Sequence, residues 1–191
     1  MFSMLAHLHG QPWNASQIGR SLDVGIHTVN RYLDALAQTY LVCRLQPYFA
    51  NLGKRLRKAP KVYLADSGLL HAILDIPAHK DLLLNPVAGF SWEGFVIQQV
   101  TACLPPGWET SFWRTSGGAE IDLLLLRAGQ PQIAIEIKLN STDPRPRRGF
   151  HESCAELRLD RRWVVYPGDN ILPLAHGCEL LSLPELLDRL K

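Results

Sequence analysis

The sequence predicts a mixed α/β protein, with a small, mostly helical module at the N-terminus and a larger α/β region after it. In the first part, two short segments with apolar residues at helical spacing are joined by a glycine-containing turn. In the second part, apolar runs separated by turn residues indicate strands, and helical patterns precede and follow them. The 191 residues leave room for two small domains, which we place at residues 1–65 and 66–191.

The N-terminal module begins with a short helix over residues 2–8, which is followed by a helix-turn-helix. Asn14 or Ser16 offers an N-cap for the helix SQIGRSL, and Gly25 supplies the turn. The second helix of the pair runs from about residue 26 to residue 38, because its apolar residues recur every three or four positions.

Two strand-like runs, LVCRLQPYF and KVYLA, follow the helix-turn-helix and flank a basic segment. Strand, basic loop and strand after two helices predict the wing of a winged helix. The basic side chains are candidate contacts to DNA phosphates. A solvated loop, or a loop paired with acidic residues of the second domain, is the alternative. The residues concerned are Lys54, Arg55, Arg57, Lys58 and Lys61.

The second helix of the pair also carries polar side chains away from its apolar face. His27, Thr28, Asn30 and Arg31 are therefore candidate contacts to DNA bases in a major groove. The alternative is a module that docks on protein, since this face is not strongly basic and Asp34 lies nearby.

The second domain is predicted to open with a helix in DSGLLHAIL, then a connector in DLLLNPVAG, then an amphipathic helix in SWEGFVIQQVTACL capped by Ser91. TSFWRT reads as a strand, and two apolar runs around AGQP read as a hairpin that turns about Gly129 and Gln130. A helix in SCAELRL, a strand in RRWVVYP and a terminal helix in LPELLDRLK complete the domain.

Charged residues inside an apolar strand give the first indication of a functional site. Side chains two positions apart on a strand face the same side, so Glu136 and Lys138 project together while Ile137 packs behind them. Burying such charges is costly unless they pair or bind something. The hairpin brings Asp122 opposite this segment, within a residue or so of register.

An Asp and a Glu held together repel each other, and a divalent cation would relieve that repulsion. Hard oxygen ligands suit Mg²⁺ or Mn²⁺. Lys138 would then orient a water molecule and stabilise developing negative charge. The alternative is a buried Asp–Lys–Glu ion network without chemistry.

Arginines near this segment are further candidates. Arg145, Arg147 and Arg148 follow Lys138 in a polar loop and are candidate phosphate contacts, with a simple exposed loop as the alternative. Arg114 either reaches the acidic site or pairs only with Glu120.

The order helix–strand–hairpin–helix–strand, with Asp122 ahead of the Glu136–Lys138 strand, resembles the PD-(D/E)xK superfamily of restriction-endonuclease-like αβββαβ domains. The resemblance implies that Glu93, Asp122 and Glu136 hold Mg²⁺ or Mn²⁺, and that Lys138 assists phosphodiester hydrolysis. Glu120 is the substitute for Asp122 if the register differs.

Nearly the whole chain also resembles the C-terminal region of a prokaryotic family of predicted AAA-type ATPases. The segments that carry this resemblance are VNRYLDAL, NLGKRLRKAPKVYLADSGLLHAIL, GFSWEGFVIQQV, RTSGGAEIDLLL and IAIEIKLN. The resemblance implies an AAA-type ATPase module or subunit as a partner, whereas DNA is expected as a partner from the basic segment and from the polar face of the second helix. The sequence has no GxxxxGK[ST] phosphate loop, so we expect this chain alone neither to bind nor to hydrolyse ATP.

Composition limits the remaining possibilities. A formal net charge of +2 does not by itself favour nucleic acid. No apolar run reaches the roughly 20 residues that span a bilayer, and the N-terminus lacks the basic and apolar regions of a signal peptide. The four cysteines are far apart and indicate reduced thiols in the cytoplasm. The histidines are expected at the surface or at helix caps, and Trp92, Trp113 and Trp163 in the core.

Overall fold

The computed structural model describes residues 1–49, 59–140 and 142–191, and its described part is mixed α/β, as the sequence predicts. The chain divides into two compact units. Of the described residues, the first unit holds 1–45 and 59–95, and the second holds 46–49, 96–140 and 142–191. The sequence places the boundary between two independently folding domains at residue 65, and this boundary stays a prediction.

The first unit is mostly helical. Strand β1 and helix α6 begin in it and run on into the second unit. Its elements are α1 (Phe2–His7), α2 (Ala15–Leu22), α3 (Ile26–Gln38), β1 (Val42–Pro47), β2 (Lys61–Leu64), α4 (Ser67–Ile73), α5 (His79–Leu84) and α6 (Ala88–Cys103).

Helices α2 and α3 lie where the sequence predicts two helices, and residues 23–25 join them. Asn14 is the N-cap of α2, and its side chain accepts a hydrogen bond from the backbone N–H of Gln17 at 3.1 Å. The turn that follows is tight, because a Cβ atom on Gly19 would lie only 2.7 Å from the carbonyl oxygen of Val24. Glycine at this position therefore lets the two helices approach.

Strands β1 and β2 pair antiparallel in the first unit, with Val42 opposite Leu64 and Leu45 opposite Lys61. All four residues of β2 are buried. The apolar core beneath them contains Leu5, Ala6, Leu33, Val42, Val62, Leu64 and Leu70. Burial of these side chains holds the helices and the strand pair together.

Two local predictions in this unit were wrong. The first four residues of the segment expected to be a connector, 81–84, belong to helix α5, which is only six residues long and has no buried residue, so no helical periodicity marked it. Helix α6 begins at Ala88 rather than after Ser91. Ser91 is a buried residue inside the helix, and its hydroxyl lies 2.8 Å from Nε2 of His71 instead of capping.

The second unit is built on a mixed sheet with helices α7 and α8. Its further elements are β3 (Trp108–Arg114), β4 (Glu120–Arg127), β5 (Gln130–Ile137), α7 (Arg148–Glu156), β6 (Arg161–Tyr166), β7 (Leu172–Pro173), β8 (Cys178–Ser182) and α8 (Leu183–Arg189). These strands lie in the order β3-β4-β5-β6-β8-β7, and residues 46–47 of β1 pair parallel with β3. Neighbours are antiparallel from β3 to β5 and parallel from β5 through β6 to β8.

The β4–β5 hairpin sets the register of the charged residues. Its turn falls on Ala128 and Gly129, both with positive φ, rather than on Gly129 and Gln130 as predicted. Moving away from the turn, the strand pairing shifts its register between Leu126 and Leu125. Beyond this shift, Leu123 pairs with Ile135.

The sheet is covered on the side of α7. Strand β4 buries Leu123, Leu124 and Leu125 completely. Helix α7 approaches this strand so closely that a Cβ atom on Gly149 would lie 3.0 Å from Cα of Ala119. Both strands of the hairpin are thus largely apolar and buried. Trp113 and Trp163 are core residues, as expected.

Within the described residues, none of the helices has the length and apolar character needed to cross a membrane.

Candidate functional site

The site is built on the carboxyl end of β5. Glu136 is 3% exposed, and its Oε1 atom accepts a hydrogen bond from Nζ of Lys138 at 2.5 Å. The backbone N–H of Lys138 donates to the carbonyl oxygen of Val165 on β6 at 2.8 Å, so the strand geometry continues through Lys138. The two-residue period predicted this shared face, and the structure brings the two charged groups into direct contact.

Asp122 lies across from this pair on β4. Continuing the β4–β5 register by one residue from Leu123 places Asp122 opposite Glu136. Its Oδ2 atom accepts a hydrogen bond from the backbone N–H of Ile137 at 2.8 Å, which fixes the position of the carboxylate. The structure therefore brings together three of the four residues predicted to form the site.

Asp122 and Glu136 open into a cleft of about 380 Å³ within the second unit. Part of its wall is acidic, and another part is the N-terminal end of α7, where two arginines lie. Anions are favoured near a helix N-terminus, so this wall complements a phosphate group. The lining residues are Gly117, Gly118, Ala119, Glu120, Asp122, Glu136, Arg147, Arg148, Gly149, Phe150 and Glu152.

The three arginines of the loop differ in ways the sequence could not show. Arg145 is paired with Asp143 at 2.7 Å, and the cleft lining does not include it. Arg148 is paired with Glu152 at 2.7 Å and is 92% exposed. Arg147 lines the cleft as the N-cap residue of α7 and has no such ion pair within the described part of the chain. Arg147 is therefore the arginine best placed to meet a phosphate.

Arg114 and Glu120 lie side by side on neighbouring strands. Arg114 lies opposite Glu120 in the β3–β4 register, with Nε of Arg114 3.7 Å from Oε2 of Glu120. Arg114 thus pairs with Glu120, which itself lines the cleft beside Asp122. The register places Asp122 opposite Glu136, and the role of Glu120 as a substitute for Asp122 stays a prediction.

The donor set of the cleft fits one kind of metal ion. No three His, Cys, Asp or Glu side chains among the described residues are grouped so as to hold a metal ion by themselves. Two carboxylates facing each other nevertheless suit Mg²⁺, which proteins hold through one or two carboxylates together with water and substrate phosphates. Asp122 and Glu136 are these two carboxylates.

Glu93 lies in the first unit, on the N-terminal half of α6. Its Oε1 atom accepts hydrogen bonds from Nζ of Lys61 at 2.9 Å and from the hydroxyl of Tyr63 at 2.6 Å. The side chains of Lys61 and Glu93 are only 7% and 13% exposed. The metal-binding role of Glu93 that the resemblance implies stays a prediction.

Lys61 corrects one part of the sequence interpretation. It was grouped with an exposed basic patch, but it is buried in β2 and pairs with Glu93 because the strand carries it into the core of the unit. The charged Lys61 at the start of the otherwise apolar strand KVYL could have indicated this ion pair. Charged residues in an apolar strand indicated Glu136 and Lys138 in the same way. The rest of that patch, Lys54, Arg55, Arg57 and Lys58, lies outside the described residues.

The polar face of α3 is exposed at His27, Asn30 and Arg31, and half-buried at Thr28. The side-chain oxygen of Asn30 accepts a hydrogen bond from the indole of Trp13 at 2.9 Å. Asp34 on the same helix pairs with Arg44 at 2.6 Å. Arg31 is thus the basic side chain on this face of α3. That it contacts DNA stays a prediction.

His9 is a buried histidine that sequence reasoning placed at the surface. It is 2% exposed, and Nδ1 accepts a hydrogen bond from the backbone N–H of Leu64 at 3.1 Å. A Cβ atom on Gly94 would lie 2.7 Å from its Nε2 atom, so the ring is tightly enclosed. Burial lowers the pKa of His9 from 6.5 to about 4; a backbone hydrogen bond with Phe90 opposes this shift, and the charge of His71 adds to it.

The protein is expected to lose stability on acidification through His9. Because its pKa is depressed in the folded state, the stabilising contribution is present above pH 6.5 and is lost as the pH falls toward 4. The loss at pH 4 amounts to about 3 kcal/mol relative to a freely titrating histidine. Urea unfolding at several pH values, comparing His9→Asn with the exposed control His27→Asn, measures it. An unchanged pH dependence in His9→Asn would contradict the assignment.

Comparison with known proteins gives families without an assigned activity. The model of a domain of unknown function, DUF8612, matches residues 1–80, and that of another, DUF4143, matches residues 88–186. Two uncharacterized proteins, one from Mycobacterium bovis and one from Mycobacterium tuberculosis, are each 45% identical over 186 residues. The match covers 97% of this chain and 42% of either relative, so the chain spans about two fifths of their length. No solved structure matches.

Proposed function

The chain belongs to the DUF4143 family, a domain of unknown function, and we propose that its second unit is a PD-(D/E)xK-type nuclease domain that hydrolyses phosphodiester bonds in nucleic acid with Mg²⁺ or Mn²⁺. The observation that carries the proposal is the meeting of Asp122, Glu136 and Lys138 at one end of the β4–β5 hairpin. Because the lining of the cleft includes both carboxylates and the arginines at the start of α7, a phosphodiester and a cation can both be accommodated.

The proposed reaction gives distinct parts to Asp122, Glu136 and Arg147, which line the cleft, and to Lys138, which contacts Glu136. Asp122 and Glu136 would hold the divalent ion, which supplies Lewis-acid charge when bound. Lys138 donates a hydrogen bond to a phosphate oxygen or to the attacking water. Its positive charge also stabilises the negative charge that develops in the transition state. Arg147, which also lines the cleft, binds a neighbouring phosphate and sets the position of the strand to be cut.

A direct assay tests the proposal. Purified protein is incubated with end-labelled duplex, single-stranded and branched DNA, with Mn²⁺ or with EDTA. We expect cleavage of at least one substrate that requires the metal and is absent from Lys138→Ala, since that variant lacks the charge that stabilises the developing anion. Mn²⁺ binding without cleavage of any of the three substrates would leave a metal-binding scaffold rather than a nuclease.

For the first unit we propose a winged helix that binds DNA through Arg31, its neighbours His27, Thr28 and Asn30, and the basic segment at residues 54–58. In support, the helix-turn-helix pair α2–α3 presents an exposed polar face. One observation favours a second candidate, a module that docks on an AAA-type ATPase. On α3 the side chain of Asn30 is held by Trp13, Asp34 is neutralised by Arg44, and Tyr32 is 46% exposed.

The salt dependence of DNA binding separates these two candidates. Arg31→Glu, and separately Arg55→Glu with Arg57→Glu, are expected to weaken binding to all sequences alike. Removal of one cation that binds a phosphate should lower the slope of log affinity against log salt by roughly one unit. Arg20→Glu on the exposed side of α2 serves as the charge-matched control. If the unaltered protein shows no binding at low salt, the docking module is the better account of this unit.

A further inference from the structure

We infer that Trp13 determines which base the first unit reads, because it fixes the side-chain amide of Asn30 and leaves only the N–H donors of that amide for DNA. An amide held in this way recognises guanine and rejects adenine in the major groove. The inference rests on the proposed binding of DNA by the first unit, and it names a sequence feature of that DNA. Trp13 is then a positioning residue, and Asn30 is the side chain that contacts the base.

The contact between the two side chains joins the residue before the N-cap of α2 to the exposed face of α3. Nε1 of Trp13 donates a hydrogen bond to Oδ1 of Asn30 at 2.9 Å. An indole N–H can only donate, so the amide must present its oxygen to Trp13. If the amide group turned round, its own donors would face the indole donor and the hydrogen bond would be lost. The orientation of the Asn30 amide therefore follows from its partner.

Trp13 is itself held in place. Its backbone N–H donates to the carbonyl oxygen of Pro60 at 2.8 Å, and the neighbouring Pro12 forms a β-bridge with Lys61 of β2. The half-buried ring of Trp13 packs against the apolar core of the first unit. A side chain that is locked by packing and by backbone contacts can hold an exposed partner in one orientation.

The other end of the amide is available to a ligand. Asn30 is exposed, and among the described residues its Nδ2 atom has no hydrogen-bond partner. Asp34, one helical turn further along α3, pairs with Arg44 at 2.6 Å. Asp34 thus has its own donor. Asn30 therefore offers two N–H donors at the exposed face of α3.

The edges of the bases show which partner suits these donors. Guanine presents two acceptors in the major groove, N7 and O6, whereas adenine presents the acceptor N7 beside the N6 amino group. Asparagine reads adenine by accepting from N6 with its oxygen while it donates to N7. Here that oxygen already accepts from Trp13, and a base that used its second lone pair would have to lie beside the indole. Guanine is therefore favoured, since both of its acceptors can receive an N–H of Asn30.

The experiment is a selection from duplex DNA with a randomised central segment, at low salt and in EDTA so that no DNA is cut. It is carried out with the unaltered protein, Asn30→Ala and Trp13→Phe. The position that loses its preference in Asn30→Ala is the one that Asn30 reads, and we expect guanine there for the unaltered protein. Trp13→Phe keeps a ring on the core but lacks the N–H, so the freed amide should select adenine instead.

Base analogues in a selected duplex measure the contact directly. Hypoxanthine has the major-groove edge of guanine and should bind the unaltered protein as tightly as guanine does. Adenine at the same position should weaken binding by roughly tenfold or more, the usual discrimination from a bidentate contact. 7-Deazaguanine, which lacks N7, should weaken it several-fold. Trp13→Phe should bind the adenine duplex at least as tightly as the guanine duplex.

A second variant keeps the test decisive if Trp13→Phe fails to fold. In Asn30→Asp, one carboxylate oxygen can still accept from Trp13, while the other replaces the N–H donors with an acceptor. The selected base should then change from guanine to cytosine, whose N4 amino group donates in the major groove. Gln38→Glu adds the same charge at another exposed position of α3 and should leave the selected base unchanged.

The possible failures are distinguishable. Adenine at this position for the unaltered protein, or an unchanged preference in both Trp13→Phe and Asn30→Asp, would reject the role of Trp13 while DNA binding stands. If the unaltered protein binds DNA but enriches no sequence, base reading is rejected and binding through phosphates stands. If it binds no DNA at low salt, the proposed function of the first unit fails and the inference fails with it.

Discussion

Replacing Asp122 with asparagine is expected to reduce Mn²⁺-dependent cleavage of nucleic acid by roughly 10³-fold. The carboxylate would hold the ion that supplies several kcal/mol of transition-state stabilisation, and each 1.36 kcal/mol corresponds to a factor of about ten in rate. Rates with end-labelled substrate under single-turnover conditions give this factor directly. The rise in melting temperature that Mn²⁺ produces by binding the native state should vanish in the same variant.

The substitution is well matched because the fold is expected to survive it. Asparagine retains the side-chain oxygen that accepts the hydrogen bond from the N–H of Ile137, now 2.8 Å from Oδ2 of Asp122. Glu109→Gln, at an exposed glutamate of β3 that does not line the cleft, is the control and should cleave within a few-fold of the unaltered rate. If Asp122→Asn cleaved as fast as the unaltered protein, the chemistry would have to lie elsewhere.

Replacing Glu93 with alanine is expected to destabilise the protein by about 3–5 kcal/mol, the cost of removing one partner from a buried ion pair. The change takes away the carboxylate that Lys61 and Tyr63 both contact, and Lys61 is 7% exposed at its side chain. Urea unfolding at pH 7 measures the destabilisation. Glu109→Ala, at an exposed glutamate of β3, is the control and should change stability by less than about 0.5 kcal/mol.

Two further variants distinguish a structural Glu93 from a metal ligand. The combination Lys61→Met, Tyr63→Phe and Glu93→Leu should recover most of the stability, because apolar groups of similar volume replace the whole polar cluster. Glu93→Gln should lower the melting temperature and leave the Mn²⁺-induced rise unchanged. A smaller rise in that variant would instead support the metal-binding role that the resemblance implies.

The charged strand was predictable from the sequence, since the two-residue period alone places Glu136 and Lys138 on one face. The hairpin also predicted that Asp122 lies near them. Its exact partner was not predictable, because the turn falls on Ala128 and Gly129 and the register shift at Leu125 depends on packing rather than on turn chemistry.

The contacts of Glu93 and His9 could not be predicted from the sequence, for a different reason. Their environments come from residues far away along the chain, Lys61 and Tyr63 for Glu93 and Leu64 for His9, and local periodicity carries no information about such contacts. Helix α5 escaped detection because it buries no residue, so no apolar stripe marks it.

Residues 46–49 affect where a fragment that contains the second unit should begin. They belong to the second unit, where Gln46 and Pro47 pair with β3 and the N–H of Tyr48 donates to the carbonyl oxygen of Phe112 at 2.8 Å. The segment matched by DUF4143 starts at residue 88 and therefore leaves this stretch out. A fragment cut to that boundary would bare the edge of β3 beside a buried phenylalanine, and an uncovered edge strand invites self-association. The domain is thus completed by a strand that precedes it in the sequence.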